Sequence, residues 1–244
     1  MQRTSKTIND FDSFWEWSKT KSSYHFDSFR QDAPNSTFRV ITTLPVTWAD
    51  ELLSIKSKAF STTWNNVTRT GGIDQKVTAI DKRGQDIAYG GGNIDNLELT
   101  DVTDDFTDFT ELKKIIDSFN LKSALSRCHT QKTGQMFTTH IDPLQRTYYK
   151  DGNGDVDLVD YGYDVLDIVR ITVMLEDWVP GQFVIYGNTV YQQWKAGETI
   201  IHDWPNIPHA TANASERSRS TLQVTGLRTE KTDPRYDVRN FYKS

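Results

Sequence analysis

Several things are scarce in this chain, and each scarcity removes a class of explanation. Among 244 residues there is one cysteine, Cys128, so no internal disulfide can form and no thiolate cluster can hold a metal. No run approaches the roughly 20 consecutive apolar residues of a membrane-spanning helix, and the mean hydropathy is −0.62. The opening segment, MQRTSKTINDFDSF, lacks the apolar stretch of a signal peptide, so a cytoplasmic protein is expected. Charge of one sign is not in excess: 28 Lys plus Arg against 33 Asp plus Glu leave a net of −5. That balance gives no electrostatic drive toward nucleic acid or an anionic membrane, and neither is expected as a partner.

Familiar catalytic motifs are missing too. Gly90-Gly91-Gly92 lacks the Gly-Lys-Ser/Thr ending of a phosphate loop. There is no Gly-x-Ser-x-Gly elbow, and Cys128 has no electropositive setting that would mark a nucleophile. Asp151, Asn153, Asp155 and Asp157 imitate the start of a calcium loop. Val156 stands where that loop needs glycine, and Gly162 where it needs glutamate, so calcium is rejected.

What the chain does have is aromatic bulk. Its 7 Trp, 10 Tyr and 12 Phe offset a hydrophobic fraction of only 36%, and they supply core material for one large domain. Residues 1–108 read as a helical and irregular region that packs on the C-terminal half of the chain. Phe11, Phe14, Trp15 and Ser18 follow helical spacing, as do Trp48, Leu52, Ile55 and Ala59. Residues 61–105 show no clear organisation. A further helix starts at Asp108, where Asp108 and Glu111 fit a capping box. Phe109, Leu112, Ile115, Ile116 and Phe119 then share one apolar face.

After residue 120 the period becomes alternating. Strands are predicted at 122–130, 134–141, 167–175, 182–186, 189–195, 198–203, 207–213 and 219–226, with tight turns at Thr133-Gly134 and Gly187-Asn188. Eight short strands after a helical preface predict a mainly β fold with packed helices. The architecture expected is a double-stranded β-helix, a jelly-roll or cupin-like barrel, over 109–228. Residues 229–244 are left as a polar tail. The segment 143–166, carrying Tyr148, Tyr149, Tyr161 and Tyr163, is a candidate lid.

Within these strands one face collects polar residues. Met136, Thr138, His140 and Asp142 alternate with Phe137, Thr139 and Ile141. Arg170, Thr172 and Met174 alternate with Ile171, Val173 and Leu175. Arg219, Thr221, Gln223 and Thr225 alternate with Ser220, Leu222 and Val224. Alternation alone admits both a polar side turned to solvent and a barrel lined with polar groups.

His140 and Asp142 are the first chemical candidates. Two residues apart on a strand, they point the same way, roughly 6–7 Å apart, and can converge on one ion. A second histidine, His209, completes two imidazoles and a carboxylate on one face of an octahedron, leaving positions for a cosubstrate and O2. The His-x-Asp pair by itself is a weak signal that an ordinary strand end before Pro143 would also produce. The signal strengthens with Arg219, ten residues after His209, and Thr221 on the same strand face. A guanidinium fork and a hydroxyl suit a dicarboxylate. His129 and His202 read as structural, and His25 carries no signal.

His140, Asp142, His209 and Arg219 together resemble the signature of the 2-oxoglutarate/Fe(II) dioxygenase superfamily. The block from Arg170 to Gly226 is similar to its aspartyl/asparaginyl β-hydroxylase branch, through Arg170, Gly187-Asn188, Trp194, Asp203, His209, Asn213 and Arg219. The resemblance covers roughly residues 122–228. It implies Fe(II) held by His140, Asp142 and His209, with 2-oxoglutarate as cosubstrate paired to Arg219 and assisted by Thr221. Arg170 and Thr172 would help to hold the cosubstrate. Thr172 stands where some members of the branch carry a histidine, which leaves the role of Arg170 open. The activity implied is hydroxylation of an unactivated C–H by O2, with succinate and CO2 as coproducts. The substrate would be a small molecule or a peptide, with an Asp/Asn side chain or a free amino acid favoured. Two other readings use the same fold: a non-catalytic cupin-like ligand-binding module, and a metal-dependent isomerase with the same triad. Neither needs Arg219.

Overall fold

The alternating half of the chain does form strands, and they close into two facing sheets. A computed structural model describes residues 36–61, 101–103, 105–141 and 164–242. In chain order the elements are β1 (Phe38–Thr43), α1 (Ala49–Ser61), β2 (Asp101–Thr103), α2 (Thr110–Ser118), β3 (Lys122–Gln131) and β4 (Met136–His140). The chain continues with β5 (Ile168–Met174), β6 (Gln182–Tyr186), β7 (Thr189–Tyr191), β8 (Glu198–His202), β9 (His209–Asn213) and β10 (Arg219–Leu227). The large sheet runs β1-β8-β5-β10-β3-β2 and the small one β4-β9-β6-β7, with every pairing antiparallel. From β3 onward the chain crosses to the other sheet after every strand except at the β6–β7 hairpin. That order is a jelly-roll barrel, as expected from the strand pattern. No helix among the described residues is long and apolar enough to cross a membrane.

Each face of the large sheet has its own core. Ile171, Val173, Leu222, Val224 and Cys128 cover the outer face, where Trp48, Leu52, Ile55, Leu112 and Ile115 of the helical region pack on them. Trp48 also donates its indole N–H to the Leu175 carbonyl at 2.9 Å, which pins the start of α1 to the end of β5. Between the sheets lies a second cluster of Met174, Val184, Tyr186, Tyr191, Trp194, Ile200 and Ile207. Arg170, Thr172, Thr221 and Gln223 are on the same side as this inner cluster, so the polar side of the alternation is barrel interior and not solvent.

Several sequence expectations need correction. The N-terminal region is not helical throughout: β1 pairs with β8 and β2 with β3, extending the large sheet at both edges. The α2 helix starts at Thr110 after Phe109, with no side-chain cap of its own, so the Asp108–Glu111 box does not form. Its free N–H groups are met by Glu51 of α1, which accepts from the backbones of Glu111 and Leu112 at 2.8 and 2.9 Å. A carboxylate at a helix N-terminus stabilises it by about 1 kcal/mol, and here it also ties two helices together. The predicted strand 189–195 stops at Tyr191, because Gln193 turns to a φ of +58°. The 229–244 stretch is no loose tail: Thr232, Tyr236, Val238 and Phe241 are buried. The first predicted helix, around Phe11 to Ser18, and most of the candidate lid lie outside the described residues.

Two glycines are required by geometry. Gly187 sits at φ +59° between the paired Tyr186 and Thr189, the position a tight hairpin turn reserves for glycine. Gly197, at φ +90°, lies so close to the chain after β1 that an added Cβ would meet the Leu44 carbonyl oxygen at 2.1 Å.

Candidate functional site

The inner face of the large sheet is a set of rungs. Arg219 lies opposite Gln131, and Thr221 lies between His129 and Met174. Gln223 lies between Arg127 and Thr172, and Thr225 between Leu125 and Arg170. Arg219, Thr221, Thr172 and Thr225 are all buried. Polar groups withdrawn from water in this number need partners or a ligand.

The histidines meet on the small sheet. His209 opens β9 and is the register partner of both His140 in β4 and Tyr186 in β6. Directly opposed residues of an antiparallel ladder have Cα atoms about 4.5–5.5 Å apart, so two imidazole-bearing positions 69 places apart in sequence become neighbours. This register depends on a bulge. Phe137 pairs with Thr211, yet His140 pairs with His209, so β4 holds one extra residue between them. Met136, paired with Ala212, is therefore not on the register side of His140, which corrects the alternation read from the sequence. Asp142 lies outside the described residues.

His202 belongs to the same interior. Its ring centroid is 4.8 Å from that of His209 and 4.9 Å from that of Tyr186, with Tyr186 6.1 Å from His209. Phe38, the register partner of His202, packs tilted against Tyr186 with ring centroids 5.1 Å apart. His129, whose register partner is Thr221, packs edge-on to Phe137 at 6.1 Å. The sequence reads both histidines as structural, since neighbours along a strand point opposite ways. That rule does send Asp203 elsewhere, to accept from Asn206 and the Tyr242 hydroxyl, but it leaves His202 beside His209. Burial holds the Asp203 carboxyl above its ordinary range, despite the hydrogen bonds from Tyr242 and Asn206.

Arg219 is the most unusual group in the barrel. It is only 4% exposed, its guanidinium carbon lies 6.0 Å over the Trp194 ring, and burial depresses its pKa to about 10. Its acceptors are neutral: Gln131 Oε1 at 2.5 Å and the Phe183 carbonyl at 3.4 Å. Its Nε has no hydrogen-bond partner among the described residues, and the Glu176 carboxylate acts on it only through space. Gln131 in turn donates to Thr211 at 2.9 Å, one inward position along β9 from His209.

Arg170 is not brought to the same place. It donates to Gln223 at 2.8 Å and Thr225 at 3.2 Å. Gln223 and Thr225 lie four and six residues along β10 from Arg219, so Arg170 is anchored on rungs further along the barrel. Thr172 and Thr221 occupy successive rungs between them. The missed residues are thus His202, Tyr186 and Gln131. Parity with Ile200 was the available signal for His202. Gln131 had none, because its role depends on pairing with a strand 88 residues away.

No family model matches the chain, and no curated protein matches it. Among solved structures, a prolyl hydroxylase in complex with a peptide fragment of hypoxia inducible factor, from Trichoplax adhaerens, aligns at 11% identity and a TM-score of 0.45, over 92% of this chain and 96% of that one. A putative sugar phosphate isomerase from Acidithiobacillus ferrooxidans aligns at 9% identity and TM-score 0.32, over 55% of this chain and 62% of that one. A cupin protein from Bacteroides fragilis aligns at 14% identity and TM-score 0.29, over 47% and 74%. Likenesses this distant assign no role to any residue, and the barrel is identified by its own strand order.

Proposed function

We propose that this protein is an Fe(II)- and 2-oxoglutarate-dependent oxygenase that hydroxylates an unactivated C–H. The observation that carries the reading is Arg219: a cation buried inside the barrel whose described partners are all neutral. An unpaired charge in such a place is costly, and an anionic ligand relieves the cost. Its guanidinium fork matches a carboxylate. His140 and His209 stand opposite each other as register partners, and with Asp142, two residues beyond His140 in sequence, they would make a donor set suited to ferrous iron. Iron would supply the activation of O2, coupled to conversion of 2-oxoglutarate into succinate and CO2.

The chain's own residues then have separable tasks. His140, Asp142 and His209 would hold the metal. Arg219 would fix the distal carboxylate of 2-oxoglutarate, and the Thr221 hydroxyl, one inward position along β10, can add a donor. Trp194 and Met174 offer apolar surface at that end, which would keep water from it. Arg170 and Thr172 lie further along the barrel than Arg219 and would face the substrate end. The resemblance to the aspartyl/asparaginyl β-hydroxylase branch favours an Asp or Asn side chain, or a free amino acid, as substrate.

The test is an anaerobic titration with Fe(II) and then 2-oxoglutarate, followed by visible absorbance. The expected outcome is a metal-to-ligand charge-transfer band in the wild type, lost in Asp142→Ala and weakened in Arg219→Ala. A protein that binds iron normally yet gives no band is not a 2-oxoglutarate oxygenase, and a cupin-like binding module or a metal-dependent isomerase would then describe it better.

A further inference from the structure

Gln131 and Arg219 stand opposite each other across the β3–β10 ladder. Gln131 is 1% exposed and held on three sides. Its Oε1 accepts from Arg219 Nη2 at 2.5 Å, its Nε2 donates to Thr211 Oγ1 at 2.9 Å, and its backbone carbonyl accepts from Asn213 Nδ2 at 2.9 Å. A glutamate has the same shape and would keep both side-chain contacts. One carboxylate oxygen would accept from the guanidinium, and the other from the Thr211 hydroxyl, which can donate as readily as it accepts. Packing and hydrogen bonding therefore do not choose between glutamine and glutamate at this position.

Charge does choose. A carboxylate against Arg219 would form a buried, charge-assisted pair and cancel the positive potential of the pocket. The amide gives the guanidinium a neutral oxygen to rest on and leaves the charge in force. The Phe183 carbonyl and the Trp194 face act in the same sense, orienting the group without neutralising it. We propose that Gln131 is a positioning residue that aims Arg219 while keeping it uncompensated for an incoming dicarboxylate. The identity of that anion as 2-oxoglutarate rests on the oxygenase reading.

The proposal separates two quantities that a merely structural role would move together. In the full-length protein, Gln131→Glu should melt about 5 °C or more above wild type, because it pairs a buried charge. The same variant should bind 2-oxoglutarate at least about 100-fold more weakly, by calorimetric titration with anaerobic Fe(II) present. Gln131→Met, which removes the amide and adds no charge, should melt no higher than wild type and lose only about 10-fold in affinity. A Gln131→Glu protein that melts at or below wild type, fails to fold, or binds 2-oxoglutarate as well as wild type overturns the role of Gln131. So does a Gln131→Met protein that loses as much affinity as Gln131→Glu. A wild-type protein that takes up no 2-oxoglutarate overturns the oxygenase reading instead, and is recognised before any variant is made.

Discussion

Two sets of arginines in this molecule are treated in opposite ways. Outside the barrel, Arg228 and Arg239 form a closed ring with two carboxylates. Arg228 reaches Asp167 and Asp237 at 3.0 Å each, and Arg239 reaches Asp167 at 3.0 Å and Asp237 at 3.4 Å. The ring joins the short turn before β5, the end of β10 and the C-terminal 3-10 helix, and its arginines keep about a third of their side-chain surface in water (35% and 31%). Inside the barrel, Arg219 has lost nearly all its solvent, and its hydrogen-bond partners among the described residues are neutral. At the outer ring the fold supplies a carboxylate to each arginine. On the oxygenase reading, the charge of Arg219 is left for a ligand.

The largest effect that could break this contrast is at Arg219 itself. Arg219→Met should lower 2-oxoglutarate affinity by roughly 30-fold to several thousand-fold, the range for removing one partner of a buried charge pair. The melting temperature should hold or rise, since a flexible apolar chain fills the space without the cost of a buried cation. A marked fall in melting temperature would make Arg219 a structural arginine like the others, and the contrast would fail.

The converse substitution sharpens it. Asp167→Asn removes the carboxylate shared by Arg228 and Arg239 and should cost about 1–3 kcal/mol, or about 2–4 °C in melting temperature per kcal/mol for a domain of this size. Binding of 2-oxoglutarate should be unchanged, because the ring lies on the outside of the large sheet, away from the barrel interior. Affinity that falls along with stability would mean that the ring sets the geometry of the site, and the two sets of arginines would not be independent.

These two arginine environments were not equally legible in the sequence. Strands β5 and β10 announced their faces, because Ile171, Val173, Leu222 and Val224 alternate with polar residues in step with the strand period. Whether the polar side met water or a cavity depended on what covered it, which alternation does not encode. Strand β1 had a β-branched run from Val40 to Thr43, but it is short, half-exposed and distant in sequence from its partner β8. The bulge in β4 left no mark, and one extra residue is enough to turn a strand face over. The candidate ligands His140, Asp142 and His209 were readable as a spacing, whereas the His202–Tyr186 stack against His209 depends on three strands meeting. The Asp167 ring was invisible for the same reason: its members come from Asp167, Arg228 and the 237–239 turn, and only the fold makes them neighbours.

The smallest predicted effect concerns acidity, and its sign comes from the ring. Burial alone would raise the Asp167 carboxyl, but the Asp164 backbone N–H and the Arg228 and Arg239 guanidiniums outweigh it and hold its pKa below the ordinary value. The unfolded chain has an ordinary aspartate, near pH 4. The folded state therefore binds its proton later as pH falls, and between the two values the unfolded state carries more protons. The stability that Asp167 contributes is complete above about pH 4 and drains away as pH falls through the depressed folded value. Asp167→Asn mimics the protonated form at every pH. Melting curves of wild type and variant should thus be separated by a constant gap from pH 7 down to about 5, begin to close near 4, and meet only below the depressed folded value. A gap that persists unchanged into strong acid would mean that the asparagine costs stability through shape and not through charge. The outer ring would then not be the electrostatic counterpart of Arg219.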